Sequence, residues 1–235
     1  MQNKKNVISN AIICSILCIL GFLVSTLNVK QTYLTIAAPL SNGNRNSQQI
    51  GLMFIIDEPE LANNLPNILD TLGKAEATAT FFFTGTAAIN NLEILQTLAQ
   101  QHEIGNYGFS NTSLNLADKN AIYEEIRLSD ALFKSLVKVK MKVFTPPAGN
   151  FNRHTIAMAS NLGYTTVLPT NRDAVINWDQ ADSNMVLSYA TYNIKNGDII
   201  ALKPTVATLQ SFAQIIAHYT TNDWGITSLS RLLQV

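Results

Sequence analysis

The sequence predicts an α/β domain, a parallel sheet flanked by helices, placed behind one apolar N-terminal segment. Three observations lead there. From residue 50 onward, short apolar runs of strand character alternate with segments of helical spacing. Repeated β-α-β units imply parallel strands joined by crossover helices. Ahead of them, residues 7–27 carry no formal charge and are nearly all apolar. The element count allows either a barrel or an open sheet. In both, chemistry collects at the C-terminal ends of the strands.

Each element has its own signal. Residues 50–56 (IGLMFII) fit a buried strand. Leu61, Leu65, Ile68, Leu69 and Leu72 follow at helical spacing, with Gly73 as the stop. Residues 77–83 are β-rich and end at Thr84-Gly85. Residues 90–101 place Leu92, Leu95 and Leu98 on one helix face, and 103–106 form a short extended piece. A helix near 118–137 has Asp118 as N-cap and carries Ile122, Ile126, Leu128, Leu132 and Leu136 as its apolar residues. Residues 142–145 are strand-like and run into Pro146-Pro147. Helices over 153–162, 183–195 and 206–220 alternate with strands over 164–168 and 198–202, and a short strand and helix close the chain.

The N-terminal segment is long enough to cross a bilayer, about 30 Å at 1.5 Å per residue. Lys4 and Lys5 precede it, which favours a cytoplasmic N-terminus and an exported remainder; Lys30 weakens that bias. The expected organisation is a cytoplasmic stretch over 1–6, a transmembrane signal anchor over 7–27, a linker over 28–49 and the folded domain over 50–235. A cleaved signal peptide is the rival reading, with a weak cleavage site at 35–38. Cys14 and Cys18 both lie in the apolar run. The remainder therefore has no internal disulfide, thiolate metal site or cysteine nucleophile.

Composition excludes other classes. Apolar residues make up 47% and charged residues 14%, so the chain is not intrinsically disordered. Sixteen basic and sixteen acidic residues cancel, leaving no basic field for nucleic acid. Four of the basic residues, Lys4, Lys5, Lys30 and Arg45, precede residue 50, where there is no acid, so the domain itself is mildly acidic.

Polar residues collect at the expected strand ends: Asp57, Glu58, Asn106, Tyr107, Asn111, Thr145, Asp173 and Lys203. Around them run Ala79-Thr80-Phe81-Phe82, His102-Glu103-Ile104-Gly105-Asn106, Phe144-Thr145-Pro146-Pro147-Ala148-Gly149, Leu162-Gly163-Tyr164 and Gly197-Asp198-Ile199-Ile200. In order and spacing these resemble the scaffold motifs A-T-F-F, H-E-I-G-N, F-R-P-P-Y-G, L-G-Y and G-D-I-I of the NodB-type polysaccharide deacetylases, carbohydrate esterase family 4. The resemblance covers nearly all of the chain from residue 50. It implies a distorted (β/α) barrel, and an enzyme that removes acetyl groups from chitin, peptidoglycan or similar polysaccharides. It also implies a zinc or similar divalent ion held by one aspartate and two histidines, with a second aspartate as base and a late histidine as acid.

The chemical positions depart from that pattern. Against T-F-D-D-G-P the chain reads Phe54-Ile55-Ile56-Asp57-Glu58-Pro59, so the base falls on Ile56 and only the metal aspartate remains, as Asp57. The two histidines fall on Tyr107 and Asn111, the arginine on Thr145 and the late histidine on Lys203. Asp173 or Trp178 stands near the family's aspartate-tryptophan motif. The resemblance thus implies a degenerate member. Ile56, Thr145 and Lys203 occupy former catalytic positions, and Asp57, Glu58, Tyr107, Asn111, Thr145, Asp173 and Lys203 line a vestigial pocket. No cofactor is expected, because a catalytic zinc wants about three protein ligands and an open position. Without one, water keeps a pKa near 15.7 and offers no strong nucleophile at neutral pH.

Other residues are expected to be structural. His102 ends a helix, where a cation favours the dipole; His154 starts one and His218 lies near the end of another. Trp178 and Trp224 read as packing residues, and Tyr107 and Phe151 as aromatics able to stack on a sugar. Lys203 either reaches solvent or partly neutralises Asp57. The expected protein is a membrane-anchored, extracytoplasmic deacetylase-like domain without catalysis, whose partners are cell-wall glycan or an envelope protein. The alternative is an active deacetylase with zinc, another divalent metal or a rearranged site.

Overall fold

The computed structural model describes residues 38–170 and 177–235. The apolar segment over 7–27 and the position of Asp173 lie outside them, and among the described residues no helix is long and apolar enough to cross a membrane. The chain runs through β1 (Gln49–Ile56), a 3-10 helix (Pro59–Asn64), α1 (Leu65–Lys74), β2 (Thr80–Phe83), α2 (Gly85–Asn90), α3 (Leu92–Gln101) and β3 (Glu103–Asn106). It continues through α4 (Lys119–Val137), β4 (Val143–Phe144), a second 3-10 helix (Pro147–Gly149), α5 (Arg153–Asn161) and β5 (Thr165–Thr166). It ends through α6 (Ser183–Thr191), β6 (Ile199–Leu202), α7 (Val206–Thr221), β7 (Gly225–Thr227) and α8 (Leu229–Leu233). The strands pair in parallel in the order β5-β4-β3-β2-β1-β6, and β7 pairs with the start of β1. The sheet is curled into a half-barrel.

β1 is buried on both faces, and the two faces differ. Strand alternation sends successive side chains to opposite sides. Ile50, Leu52, Phe54 and Ile56 join the large core formed with the helices. There Phe54 stacks on Phe81 at 5.0 Å between ring centroids and meets Phe212 of α7 edge-on at 5.6 Å. Met53 and Ile55 instead join a smaller cluster with Phe82, Tyr107, Val143, Val167 and Ile199, packed by Leu229 and Leu232 of α8. This second face is the floor of the site.

The scaffold motifs have structural work to do. Glu103 accepts from Thr80 Oγ1 at 2.6 Å and from the Ser230 N–H at 3.0 Å, while Thr80 Oγ1 accepts the Leu229 N–H at 2.8 Å. The start of α8 is thereby tied to β2 and β3. A Cβ on Gly105 would stand 2.2 Å from the Phe82 ring, so only glycine lets that ring lie on β3. Buried Asp198 accepts from the Lys195 N–H at 2.9 Å and from the Arg45 guanidinium.

Several boundaries differ from the sequence expectations. The helix ending at Gly73 continues to Lys74, and Glu76 takes the left-handed conformation (φ 50°) that leads out of it. The helix expected over 90–101 starts at Leu92 as α3, and a further short helix, α2, precedes it; the two meet at Asn91, whose side-chain amide donates to the carbonyls of Pro59 and Ala87. The strands over 142–145 and 164–168 shorten to two residues each. The helix over 183–195 stops at Thr191. Asp118 caps α4 as expected, its carboxylate accepting the Ala121 N–H at 2.8 Å.

The end of the segment expected to be linker is a strap on the sheet. Leu40 pairs with Val167 and Asn42 with Asp198. Gly43 N–H donates to the Gly197 carbonyl at 2.7 Å, and Arg45 donates to the Asn196 carbonyl at 2.7 Å. Thr170 Oγ1 donates to the Ser41 carbonyl at 2.5 Å and accepts the Ile199 N–H at 2.8 Å. Residues 40–42 thus bridge from the end of β5 to the start of β6.

Candidate functional site

A cavity of about 550 Å³ opens at the C-terminal ends of the strands. Its polar lining includes Asp57, Tyr107, Asn111, Thr145 and Lys203, five of the residues the sequence brought forward, together with Asn150. They arrive from the ends of different strands. Asp57 follows the last residue of β1, and Lys203 follows the last residue of β6. Tyr107 and Asn111 sit on the loop after β3. That loop is pinned by Glu125 of α4, which accepts from the Phe109 N–H at 2.8 Å, the Ser110 N–H at 2.9 Å and Ser110 Oγ at 2.5 Å. Asn111 holds φ 59°, a left-handed conformation that asparagine tolerates better than most side chains. Thr145, buried just beyond β4, donates its N–H to the Asn106 carbonyl at 3.0 Å.

The central contact is an ion pair. Lys203 Nζ lies 2.6 Å from Asp57 Oδ2, with the two side chains 22% and 8% exposed. Among the described residues Asp57 Oδ1 is buried and has no hydrogen-bond partner. The Tyr107 phenol oxygen accepts the Ala148 N–H at 3.1 Å. Its pKa is pushed up to about 12, first by burial and also by the nearby Asp57 charge, so the phenol stays protonated at neutral pH. Ala148 itself is left-handed (φ 52°) and follows the two prolines.

Other sequence-derived residues do not line the cavity. Ile56 does not line the cavity; it is fully buried in the helix-side core, and Ile55 lines the floor beside Asp57. The reason is the alternation of β1, which puts adjacent residues on opposite faces. Glu58 is exposed and does not line the cavity. Asp173 lies outside the described residues. Phe151 is not part of the lining, whereas Trp178 is, in edge-on contact with Tyr189 at 5.9 Å. Met53, Ile55, Leu168, Pro169 and Tyr189 complete much of the apolar wall. Alternation with Asp57 identifies Met53 and Ile55 from the sequence; nothing in the sequence flags Tyr189.

The three histidines stay apart from this site. His102 caps α3 and packs on Phe81 at 5.3 Å. Its Nδ1 faces the Ala79 N–H at 3.4 Å, and burial lowers its pKa. It therefore acts as a neutral acceptor and not as the helix-end cation expected. His154 lies in the first turn of α5, and His218 lies in the last turn of α7. Among the described residues no three of His, Cys, Asp and Glu come together as a metal site. The donor set in the cavity does not fit a catalytic zinc. Among the described residues its carboxylate is paired with an ammonium, its phenols are protonated, and its remaining side-chain donors are neutral amides and a hydroxyl.

Comparison with known proteins agrees with this architecture. "Uncharacterized protein YlxY" of Bacillus subtilis is 25% identical over 196 residues, covering 83% of this chain and 60% of that protein. A peptidoglycan-N-acetylglucosamine deacetylase of Bacillus cereus is 26% identical over 194 residues, covering 80% of this chain and 90% of the relative. A CE4 family pseudoenzyme from Bacillus anthracis superposes with a TM-score of 0.76 at 22% identity, over 83% of this chain and 68% of that one. The polysaccharide deacetylase family model matches residues 42–167, more than half of the chain, from the strap through the end of β5. With its parallel half-barrel and a cavity at the strand ends, this chain belongs to the polysaccharide deacetylase family.

Proposed function

We propose that this protein is a non-catalytic member of the family that binds cell-envelope glycan, held at the membrane by residues 7–27 with its domain outside. The observation that carries the reading is the Asp57–Lys203 ion pair at the C-terminal end of β1. It occupies the one carboxylate among the described residues of the cavity lining, where no described histidine, second carboxylate or cysteine stands to activate water. What the cavity does offer suits a sugar. It has apolar wall from Trp178, Leu168 and Pro169, hydrogen-bonding groups from Lys203, Tyr107 and Asn111, and a volume within the range of about 300–1,000 Å³ usual for ligand sites.

The test uses the full chain purified in detergent. It is incubated with N-acetylated peptidoglycan, with and without zinc; released acetate is measured, and the protein is sedimented with the insoluble glycan. The expected result is co-sedimentation without acetate release. Zinc-dependent acetate release, abolished by Asp57→Ala, would return the active-deacetylase alternative. Absence of both activities would leave an envelope protein as the partner.

A further inference from the structure

We propose that the Lys203 ammonium is a built-in counter-cation that takes the place of a metal ion at Asp57, and that the cavity excludes divalent cations for as long as Lys203 is there. The geometry carries this beyond the non-catalytic reading. A carboxylate that is 92% buried needs a positive partner or a set of hydrogen bonds to stay ionised. Asp57 has one such partner, Nζ of Lys203 at 2.6 Å, and its other oxygen has none among the described residues. Among the described residues the other polar side chains of the lining, which include Tyr107, Asn111, Thr145 and Asn150, are neutral and add no second negative charge. A divalent ion entering here would therefore meet, among the described residues, a net charge of zero and an ammonium in contact with the carboxylate it needs. Lys203 is also held in place from behind. Its carbonyl accepts from Thr208 Oγ1 at 2.6 Å and from the Thr205 N–H at 2.8 Å, fixing the turn from β6 into α7. The ammonium is thus delivered by the fold, and a neutral pair replaces a metal centre without changing the scaffold.

The experiment is cation rescue, read by thermal unfolding of the full chain in detergent. Lys203→Ala should melt lower than the natural protein. Millimolar zinc chloride or methylammonium should then raise the melting temperature of Lys203→Ala by about 2–4 °C, through selective binding to the folded state. Neither salt should shift the natural protein or the Asp57→Asn/Lys203→Ala double variant. A zinc shift of the same size in the natural protein would overturn exclusion by Lys203. Failure of both cations to shift Lys203→Ala would overturn its role as the cation of Asp57, while leaving the non-catalytic reading intact. Should Lys203→Ala not fold, Lys203→Met is measured against Lys203→Arg. The inference then requires that arginine, which keeps the charge, retains most of the stability lost with methionine.

Discussion

The two faces of β1 have different tasks. Ile50, Leu52, Phe54 and Ile56 meet helices on one side; Met53, Ile55 and then Asp57 line the cavity side. The helix-side residues are held by ring stacking and close packing that depend on shape alone. The cavity side ends in a charge whose requirement is a partner of opposite sign, and an ammonium meets it as a metal does. One face can therefore keep a fold while the other changes its chemistry, because alternation separates the two sets of contacts. The scaffold motifs show the same separation: Thr80, Glu103 and Asp198 tie α8, β3 and the strap together, and none of them lines the cavity.

The sharpest way to break that comparison is to truncate one residue on each face. Phe54→Ala removes a fully buried ring from between Phe81 and Phe212 and should cost about 3–5 kcal/mol in denaturant unfolding. Ile55→Ala lies one residue away on the cavity floor, where the wall is open on one side, and should cost less, about 2–3 kcal/mol. It should also weaken glycan co-sedimentation. An Ile55 variant that cost as much as the Phe54 variant would mean that the two faces are one core.

The ion pair gives the next largest effect. Lys203→Met leaves Asp57 charged, buried and unpaired and should cost about 1–3 kcal/mol, between the values for exposed and fully buried pairs. Asp57→Asn/Lys203→Met should recover most of that loss, and the non-additivity of the cycle measures the coupling. Additive costs would show that the two charges do not depend on each other.

Arg45→Gln probes the strap. It removes the guanidinium from Asp198, which is nearly fully buried, and should cost about 1–2 kcal/mol. Limited proteolysis should then cut near residues 40–48 before it reaches the sheet.

Much of the helix-side architecture is legible in the sequence, because it follows from spacing. The run 50–56, the Asp118 cap and the leucine faces of α1 and α3 each need only local information. The strap is not legible: residues 39–49 are polar and turn-rich, and their pairing with Val167 and Asp198 depends on partners more than a hundred residues away. At the site, Asp57, Tyr107, Asn111, Thr145 and Lys203 are placed together by motif order, while strand alternation puts Ile56, at the motif's base position, on the helix side. Tyr189 is visible only in three dimensions, because α6 brings it to the cavity from a distant part of the chain.

His102 separates the faces by pH, with the smallest expected effect. Burial lowers its pKa in the folded protein, so the unfolded chain binds its proton more tightly. Between the unfolded value, near 6.5, and the lower folded value, the unfolded state carries more protons, and stability rises with pH. The contribution of neutral His102 is therefore fully present above about pH 6.5 and is lost as pH falls through the folded value. His102 packs on Phe81 and touches only the helix side, so acidification should lower the melting temperature without changing zinc exclusion at Asp57. His102→Gln, which keeps an acceptor for the Ala79 N–H, should flatten the dependence between pH 7 and pH 5. If the natural protein and His102→Gln lost stability equally on acidification, the acid-sensitive group would lie elsewhere.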